Sequence, residues 1–263
     1  MAKVKLWISD IDGTLMNYDG SVTEKMKELI KKINSSSAKL VLATGRMFMG
    51  ARHAQKRFNL SGPVVCYQGA VVRDEEKILW QSPIKNELVP EIIDYLRKKK
   101  IHTHLYCFDT LYIEDDDKRI MSEYCDGRGT TYKVVNFDEI QYKDVPKILA
   151  VIENKDLMKE VKKELSEKYK GILTIVQSSL KYLEITDLHA SKGEALKFLK
   201  KYWNLSDCEV IASGDQDNDI EMLKEAHYKV CVGNNSKGLY DIANYHSKSV
   251  DSNELVDIVE GLI

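Results

Sequence analysis

The sequence has no excess of charge of either sign: 39 lysines and arginines face 41 aspartates and glutamates, a net charge of −2 over 263 residues. That balance excludes a strongly basic nucleic-acid binder. No apolar run approaches the ~20 residues needed to span a bilayer, so no membrane partner is expected. The opening Lys3-Val4-Lys5-Leu6-Trp7-Ile8-Ser9-Asp10 reaches a carboxylate too early to be the apolar region of a signal peptide. The five cysteines are odd in number and show neither a Cys-x-x-Cys pair nor zinc-ligand spacing. Reduced thiols in a cytoplasmic protein are expected, not a disulfide framework. Internal repeats, low-complexity tracts and flexible Gly/Ser linkers are also absent, which removes solenoids and disordered arrays. What is present, 43% hydrophobic and 30% charged residues, suits a globular protein with a sizeable core.

Apolar periodicity predicts alternating strands and helices at both ends of the chain. A strand over 4–8 leads to a turn at Asp12-Gly13-Thr14. A helix follows, its start marked by Ser21 and Glu24 at capping-box spacing and its inner face by Met26, Leu29, Ile30 and Ile33. Strands over 39–43 and 64–67 flank a helix over 51–58. The alternation returns with a helix over 191–203, a strand over 209–212, a helix over 217–226 and a strand over 228–232. Such alternation builds a parallel sheet. Between them the pattern changes, with helices over 88–99, 118–124 and 157–169 and short strands over 103–107, 111–113, 148–152, 173–176 and 182–185. Adjacent short strands point to a largely antiparallel sheet. The expected class is α/β, a Rossmann-like parallel-sheet core of residues 1–83 and 188–263 with an inserted α+β domain of residues 84–187.

Four segments at strand ends carry chemistry. In Ser9-Asp10-Ile11-Asp12-Gly13-Thr14-Leu15, residues two apart on an extended segment share a side. Asp10 and Asp12 can therefore both face the crevice at the carboxyl end of a strand, where α/β sheets bind ligands. One carboxylate can attack while its neighbour manages protons. Gly13 permits the sharp turn, and Thr14 is expected to hydrogen-bond locally. A bare Asp-x-Asp reads equally well as a turn of solvated acids, and the attached Gly-Thr is what makes the run specific. Ala43-Thr44-Gly45-Arg46 offers a hydroxyl and backbone N–H groups to a phosphate, although such a turn alone is ordinary. Ser191-Lys192-Gly193-Glu194 has capping-box spacing and puts Lys192 in the first helical turn, where the helix dipole disfavours a cation. An anion to be bound, or plain exposure, would account for it. Ser213-Gly214-Asp215-Gln216-Asp217-Asn218-Asp219 clusters more acids than one helix cap can use.

In this order and at these strand ends, the four segments resemble the haloacid dehalogenase superfamily, in its Cof-type phosphatase branch, across the whole chain. The resemblance implies a phosphatase acting on small soluble phosphate monoesters, sugar phosphates first, with the insert as a large α/β cap. Position by position, it implies Asp10 as nucleophile and Asp12 as general acid and base. Thr44, Gly45, Lys192 and Asn218 would surround the phosphate. Mg²⁺ would be held by Asp10, Asp215 and the carbonyl of Asp12, with Asp219 orienting Lys192 or a metal-bound water. The chemistry agrees, because a phosphate ester and a carboxylate nucleophile repel each other unless a divalent cation and a lysine offset their charge. Asp12 also separates relatives, since the dehalogenases lack this aspartate and the transport ATPases carry threonine there. Departures from the branch pattern concern the pocket. Tyr67-Gln68-Gly69-Ala70 stands where Asn-Gly-Ala is usual, Gly233-Asn234-Asn235 replaces Gly-Asn-Ala, and Tyr240 occupies a frequent lysine position. Arg46, Gln68, Ser178 and Ser179 are candidates for the leaving-group contact. A phosphomutase and a non-catalytic binder of phosphorylated metabolites remain the alternatives, and the oligomeric state is not legible.

Other features read as structure. His102-x-His104 shares one side of a strand but has no third ligand at suitable spacing. Glu114-Asp115-Asp116-Asp117 lacks the glycine and spacing of a calcium loop. Lys98-Lys99-Lys100 closes a helix whose dipole it suits, and Tyr106, Tyr112 and Tyr182 read as packing residues.

Overall fold

The computed structural model describes residues 3–107, 109–125 and 130–263. In chain order the elements are β1 (Leu6–Ser9), α1 (Glu24–Asn34), β2 (Lys39–Leu42), α2 (Phe48–Arg57), β3 (Val64–Cys66), β4 (Val71–Asp74) and β5 (Lys77–Gln81). Next come α3 (Val89–Lys98), β6 (His102–Cys107), β7 (Thr110–Ile113), α4 (Lys118–Cys125), β8 (Tyr132–Val134), β9 (Lys147–Val151), α5 (Lys155–Lys168), β10 (Leu173–Gln177) and β11 (Tyr182–Asp187). The chain ends with α6 (Lys192–Trp203), β12 (Val210–Gly214), α7 (Ile220–Lys224), β13 (Tyr228–Val232), α8 (Lys237–Ile242), β14 (Tyr245–Ser247) and α9 (Glu254–Leu262). It divides into two compact units, Met1–Trp80 with Ser191–Ile263, and Gln81–Ala190. Among the described residues, no helix is long and apolar enough to cross a membrane.

The first unit is built on a five-stranded parallel sheet in the order β14-β13-β12-β1-β2. Side chains alternate in direction along each strand, and both faces are apolar, as a parallel sheet covered on two sides requires. On one face Trp7, Leu40, Leu42, Ile211 and Val230 pack with Met26, Leu29, Ile30 and Ile33 of α1 and with Leu255, Val256 and Val259 of α9. On the other, Leu6, Ile8, Val41, Val210 and Ala212 pack with Leu196 and Leu199 of α6, Met222 and Leu223 of α7 and Leu239 of α8. Each buried aliphatic side chain contributes about 1.5–3 kcal/mol by leaving water. Burial on two faces therefore pins the strands laterally, and with them the loops at their carboxyl ends. β1 has β2 on one side and β12 on the other, so the crevice where the strand order reverses lies at its end.

Local details depart from the sequence reading. Thr23, not Ser21, caps α1, its hydroxyl accepting from the Met26 N–H at 3.3 Å. Ser21 is used by the preceding turn, where its N–H donates to Asp19 Oδ1 at 2.7 Å. β3 does not extend the five-stranded sheet. It joins β4 and β5 in a separate three-stranded sheet, with a single bridge from Val65 to Ala43. The helix expected over 217–226 is a 3-10 turn, Asp217–Asp219, followed by the short α7. The tighter turn arises because Asp219 Oδ2 accepts the backbone N–H groups of Asp215 and Gln216.

The second unit carries a six-stranded sheet, β10-β11-β9-β6-β7-β8, antiparallel apart from the β7–β8 pair. Leu105, Ile148, Leu183 and Ile185 pack on one face beneath Ile92, Ile93 and Leu96 of α3 and Met158, Val161 and Leu165 of α5. His102, His104 and Tyr106 alternate with the residues of that face and so point the other way. In the acidic run, Asp117 caps α4 through the Arg119 and Ile120 N–H groups, Asp116 meets Lys118 and Tyr132, and Glu114 meets Arg97.

Gly69 has φ +95°, and a Cβ there would collide with the backbone of Ser191 and Lys192 at the head of α6. Gly62 has a similar φ of +86° but open space around it. Gly69→Ala should therefore cost about 3 kcal/mol or more, and Gly62→Ala about 1 kcal/mol. Urea unfolding of the two variants checks this, and equal losses would show that the close approach at Gly69 does not hold the head of α6.

Candidate active site

Backbone hydrogen bonds tie together the ends of β1, β2 and β12 and join them to β3. The Asp10 N–H donates to the Ser213 carbonyl (2.9 Å), the Ala43 N–H to Ser9 (2.8 Å) and the Thr44 N–H to Val65 (2.9 Å). A buried chain supports Asp10 from below: Trp7 Nε1 donates to Ser213 Oγ (2.8 Å), Ser213 Oγ to Ser9 Oγ (2.7 Å) and Ser9 Oγ to the Asp10 carbonyl (2.8 Å). Every link has a partner, so the network holds β1 and β12 in one register.

Ser191 caps α6, its hydroxyl accepting from the Glu194 N–H at 3.1 Å, and Lys192 occupies the first turn. The Lys192 side chain is fully buried, and Nζ donates to Asp10 Oδ1 at 2.5 Å and to Asp219 Oδ1 at 2.6 Å. Two carboxylates thus outweigh the unfavourable helix dipole. Asp215, at the end of β12, accepts from Thr14 Oγ1 at 3.1 Å on Oδ1, and from Tyr18 OH at 2.7 Å and Gln216 Nε2 at 3.2 Å on Oδ2. Thr14 therefore bonds to a partner 201 positions away, not locally. Nothing in the sequence marked Tyr18, because the contact is made by folding and follows no short motif.

Asp12 stands apart from this cluster. Its carboxylate is gripped by Arg46, with Nε to Oδ2 at 2.8 Å and Nη2 to Oδ1 at 2.5 Å, while the Arg46 N–H donates to Thr44 Oγ1 at 3.1 Å. Asn218 Nδ2 donates to Gln68 Oε1 at 2.8 Å, and the Gln68 N–H donates to the Thr44 carbonyl at 3.1 Å. A Cβ on Gly45 would collide with the Gln68 amide, so Thr44, Gly45, Gln68 and Asn218 form one continuous rim. Ser178 and Ser179 belong to the second unit, in the turn between β10 and β11.

Burial dominates the electrostatics. It pushes the Asp10 carboxyl up to about 8, with Asp219 and Asp215 adding to the rise and Lys192 opposing it. Burial also raises Asp215. For Lys192 burial works downward, yet the charges of Asp10 and Asp219 hold the ammonium above its ordinary value. Oxygens of Asp10, Asp215 and Asp219 lie within 4.8 Å of one another. With all three carboxyls ionised, one ammonium would leave two negative charges in a buried place, and the raised Asp10 carboxyl reflects that cost. An all-oxygen donor set with that surplus fits a hard divalent cation such as Mg²⁺. Among the described residues, no such ligand group includes His102 or His104.

The sequence profile of the haloacid dehalogenase-like hydrolases matches residues 7–258. A phosphatase-named protein of Streptococcus pyogenes serotype M6 is 28% identical over 262 residues, covering 94% of this chain and 93% of that protein. A Bacillus subtilis relative, named as a 5-amino-6-(5-phospho-D-ribitylamino)uracil phosphatase, is 23% identical over 241 residues, 89% of this chain and 88% of its own. A solved HAD subclass IIB sugar phosphatase shares the fold at a TM-score of 0.85 and 20% identity, over 99% of this chain and 100% of that one. The profile match over nearly the full length, on a parallel-sheet fold shared with a solved member, places this chain in the haloacid dehalogenase-like hydrolase family.

Proposed function

We propose that this protein is a Mg²⁺-dependent phosphatase that hydrolyses small phosphate monoesters, sugar phosphates first, through an aspartyl-phosphate on Asp10. The observation that carries the reading is the buried Lys192 ammonium, 2.5 Å from Asp10 and beside Asp215 and Asp219. A lysine at that depth, among three carboxyls that a divalent cation would hold ionised, suits a site that receives an anion and such a cation together.

Asp10 attacks the phosphorus in line, and the P–O bond to the leaving group breaks as the new one forms. Asp12 gives its proton to the departing alkoxide oxygen, then takes one from the water that hydrolyses phospho-Asp10. Arg46 engages each oxygen of Asp12 once, which leaves each a second lone pair through which a proton can be given or taken. Lys192, the Thr44 hydroxyl, the N–H groups around Gly45 and the Asn218 amide receive the phosphoryl oxygens. Mg²⁺, held by Asp10, Asp215 and the Asp12 carbonyl, would supply charge neutralisation between nucleophile and phosphate. Asp219 fixes Lys192 through a second hydrogen bond to its ammonium. The named activities of the sugar phosphatase and of the ribityl-phosphate phosphatase share a phosphate on a hydroxylated carbon chain, which supports this substrate class. Five free thiols fit a reducing, cytoplasmic location.

Asp10→Asn should lower turnover of an aryl phosphate by about 10⁴-fold or more with the fold intact by circular dichroism; retained Mg²⁺-dependent turnover would sink the nucleophile assignment. In Asp12→Asn, an aryl leaving group departs without a proton but the phospho-enzyme lacks its base. Rapid mixing should show a burst of about one aryl alcohol per chain, then turnover roughly 10²–10⁴-fold below wild type; slow release with no burst would count against the assignment. Across a panel of sugar phosphates with Mg²⁺, release of inorganic phosphate is expected. A panel wholly inert would point to a binding protein, and phosphate migration within a hexose phosphate without release would point to a mutase.

A further inference from the structure

The donors around Asp215 leave its two oxygens unequal. A carboxylate oxygen has two lone pairs to offer. Oδ2 has both engaged, by Tyr18 OH at 2.7 Å and Gln216 Nε2 at 3.2 Å, whereas Oδ1 has one, taken by Thr14 Oγ1 at 3.1 Å. The open acceptor position on Asp215 is therefore on Oδ1. All three donors are neutral, so they orient the carboxylate without cancelling its charge. Asp215 is only 1% exposed, and these contacts, not bulk water, decide how it is turned.

Tyr18 does not owe its place to burial, since the residue is 67% exposed. Its hydroxyl is what is held: it donates to Asp215 and accepts from Gln216 Nε2 at 3.2 Å, closing a triangle of three side chains. The loop that carries it is built. Leu15 and Met16 anchor it in the core, the Asn17 N–H donates to the Ser21 carbonyl at 2.9 Å, the Gly20 N–H donates to Asn17 at 2.8 Å, and Asn17 Nδ2 donates to Asp251 Oδ1 at 2.8 Å. Gly13 keeps the corner clear, because a Cβ there would lie 2.8 Å from the Tyr18 hydroxyl and 2.9 Å from the Asp215 carboxyl carbon.

We propose that Tyr18 is a positioning residue for cation binding: its hydroxyl, together with Gln216, occupies Asp215 Oδ2 and so presents Oδ1 to a divalent cation. The proposal rests on the metal-dependent reading above. Outer contacts of this kind typically change metal affinity by about 10- to 100-fold when removed.

The test titrates the full chain with Mn²⁺, a paramagnetic stand-in for Mg²⁺, in the absence of substrate, reading free Mn²⁺ by electron paramagnetic resonance. Tyr18→Phe keeps the ring and loses the hydroxyl. It should bind Mn²⁺ roughly tenfold more weakly than wild type, with the melting temperature of the cation-free protein unchanged. Equal affinity overturns the proposal, and so does a lower melting temperature at equal affinity, which would make Tyr18 merely structural. Tighter binding overturns it as well, since the phenol would then be competing for the cation's oxygen. A wild type that takes up no Mn²⁺ removes the metal-dependent reading and this proposal with it, whereas loss of the contrast alone leaves that reading standing.

Discussion

One ammonium group holds the site of the first unit together. Lys192 is fully buried, and its ammonium is paired with both Asp10 and Asp219. Removing the ammonium would leave the buried carboxylates uncompensated, at a cost of about 3–5 kcal/mol. Each element around it is placed to satisfy that constraint. The Ser191 cap begins α6 at the position that aims Lys192 inward, and β1 ends at Ser9, one residue before Asp10. The 3-10 turn ties Asp219 Oδ2 to two backbone N–H groups, which leaves Oδ1 to meet Lys192. The ammonium still falls short of the acids around it. Asp10, Asp215 and Asp219 carry three negative charges if all are ionised, and the surplus of two is what a divalent cation would neutralise.

Two aspartates of one short segment end in opposite surroundings, and that contrast divides their work. The Asp10 side chain is 10% exposed beside Lys192, and its carboxyl is pushed up by burial. The Asp12 side chain is 29% exposed and is paired through both oxygens with the Arg46 guanidinium. A group that must become covalently bonded benefits from a fixed position and a desolvated anion. A group that must exchange protons with a leaving group and then with water needs access to both. Environments that separate two like residues in this way commonly assign them different roles.

Much of this was legible because it is local. Period-two and period-3.6 patterns mark which side of a strand or helix is apolar, and the face of Met26, Leu29, Ile30 and Ile33 is buried in α1 as that pattern requires. Three of the four motif segments lie at strand ends and the fourth at the head of α6, because tight turns and caps have their own residue signatures. What was not legible depends on strand order. The Thr14–Asp215 bond spans 201 positions and exists only because β12 lies beside β1. The grip of Arg46 on Asp12 needs β2 on the other side. Short strands such as β4, β5 and β14 carry too few residues for a period to stand out from their neighbours. The place of β3 in a second sheet is likewise decided by its antiparallel partner β4, not by its own three residues.

The departure at Gln68 shows how a change of residue is absorbed. Tyr67, Gln68 and Gly69 are three successive residues in left-handed backbone, at φ of 53°, 60° and 95°. For the two that are not glycine, that conformation costs on the order of 1–3 kcal/mol each. It persists because the turn is over-determined. The Tyr67 N–H donates to the Arg46 carbonyl at 2.9 Å, the Gln68 N–H to Thr44 at 3.1 Å and the Ala70 N–H to Tyr67 at 3.0 Å, while the Tyr67 side chain is buried. The turn is therefore locked to the Thr44–Arg46 loop, and the Gln68 amide is delivered over Gly45 to meet Asn218. Any side chain at position 45 would fill the space the amide uses. Glycine in one loop and glutamine in the other are one solution to a single packing problem, and the strain stored in the turn is what gives the rim its shape.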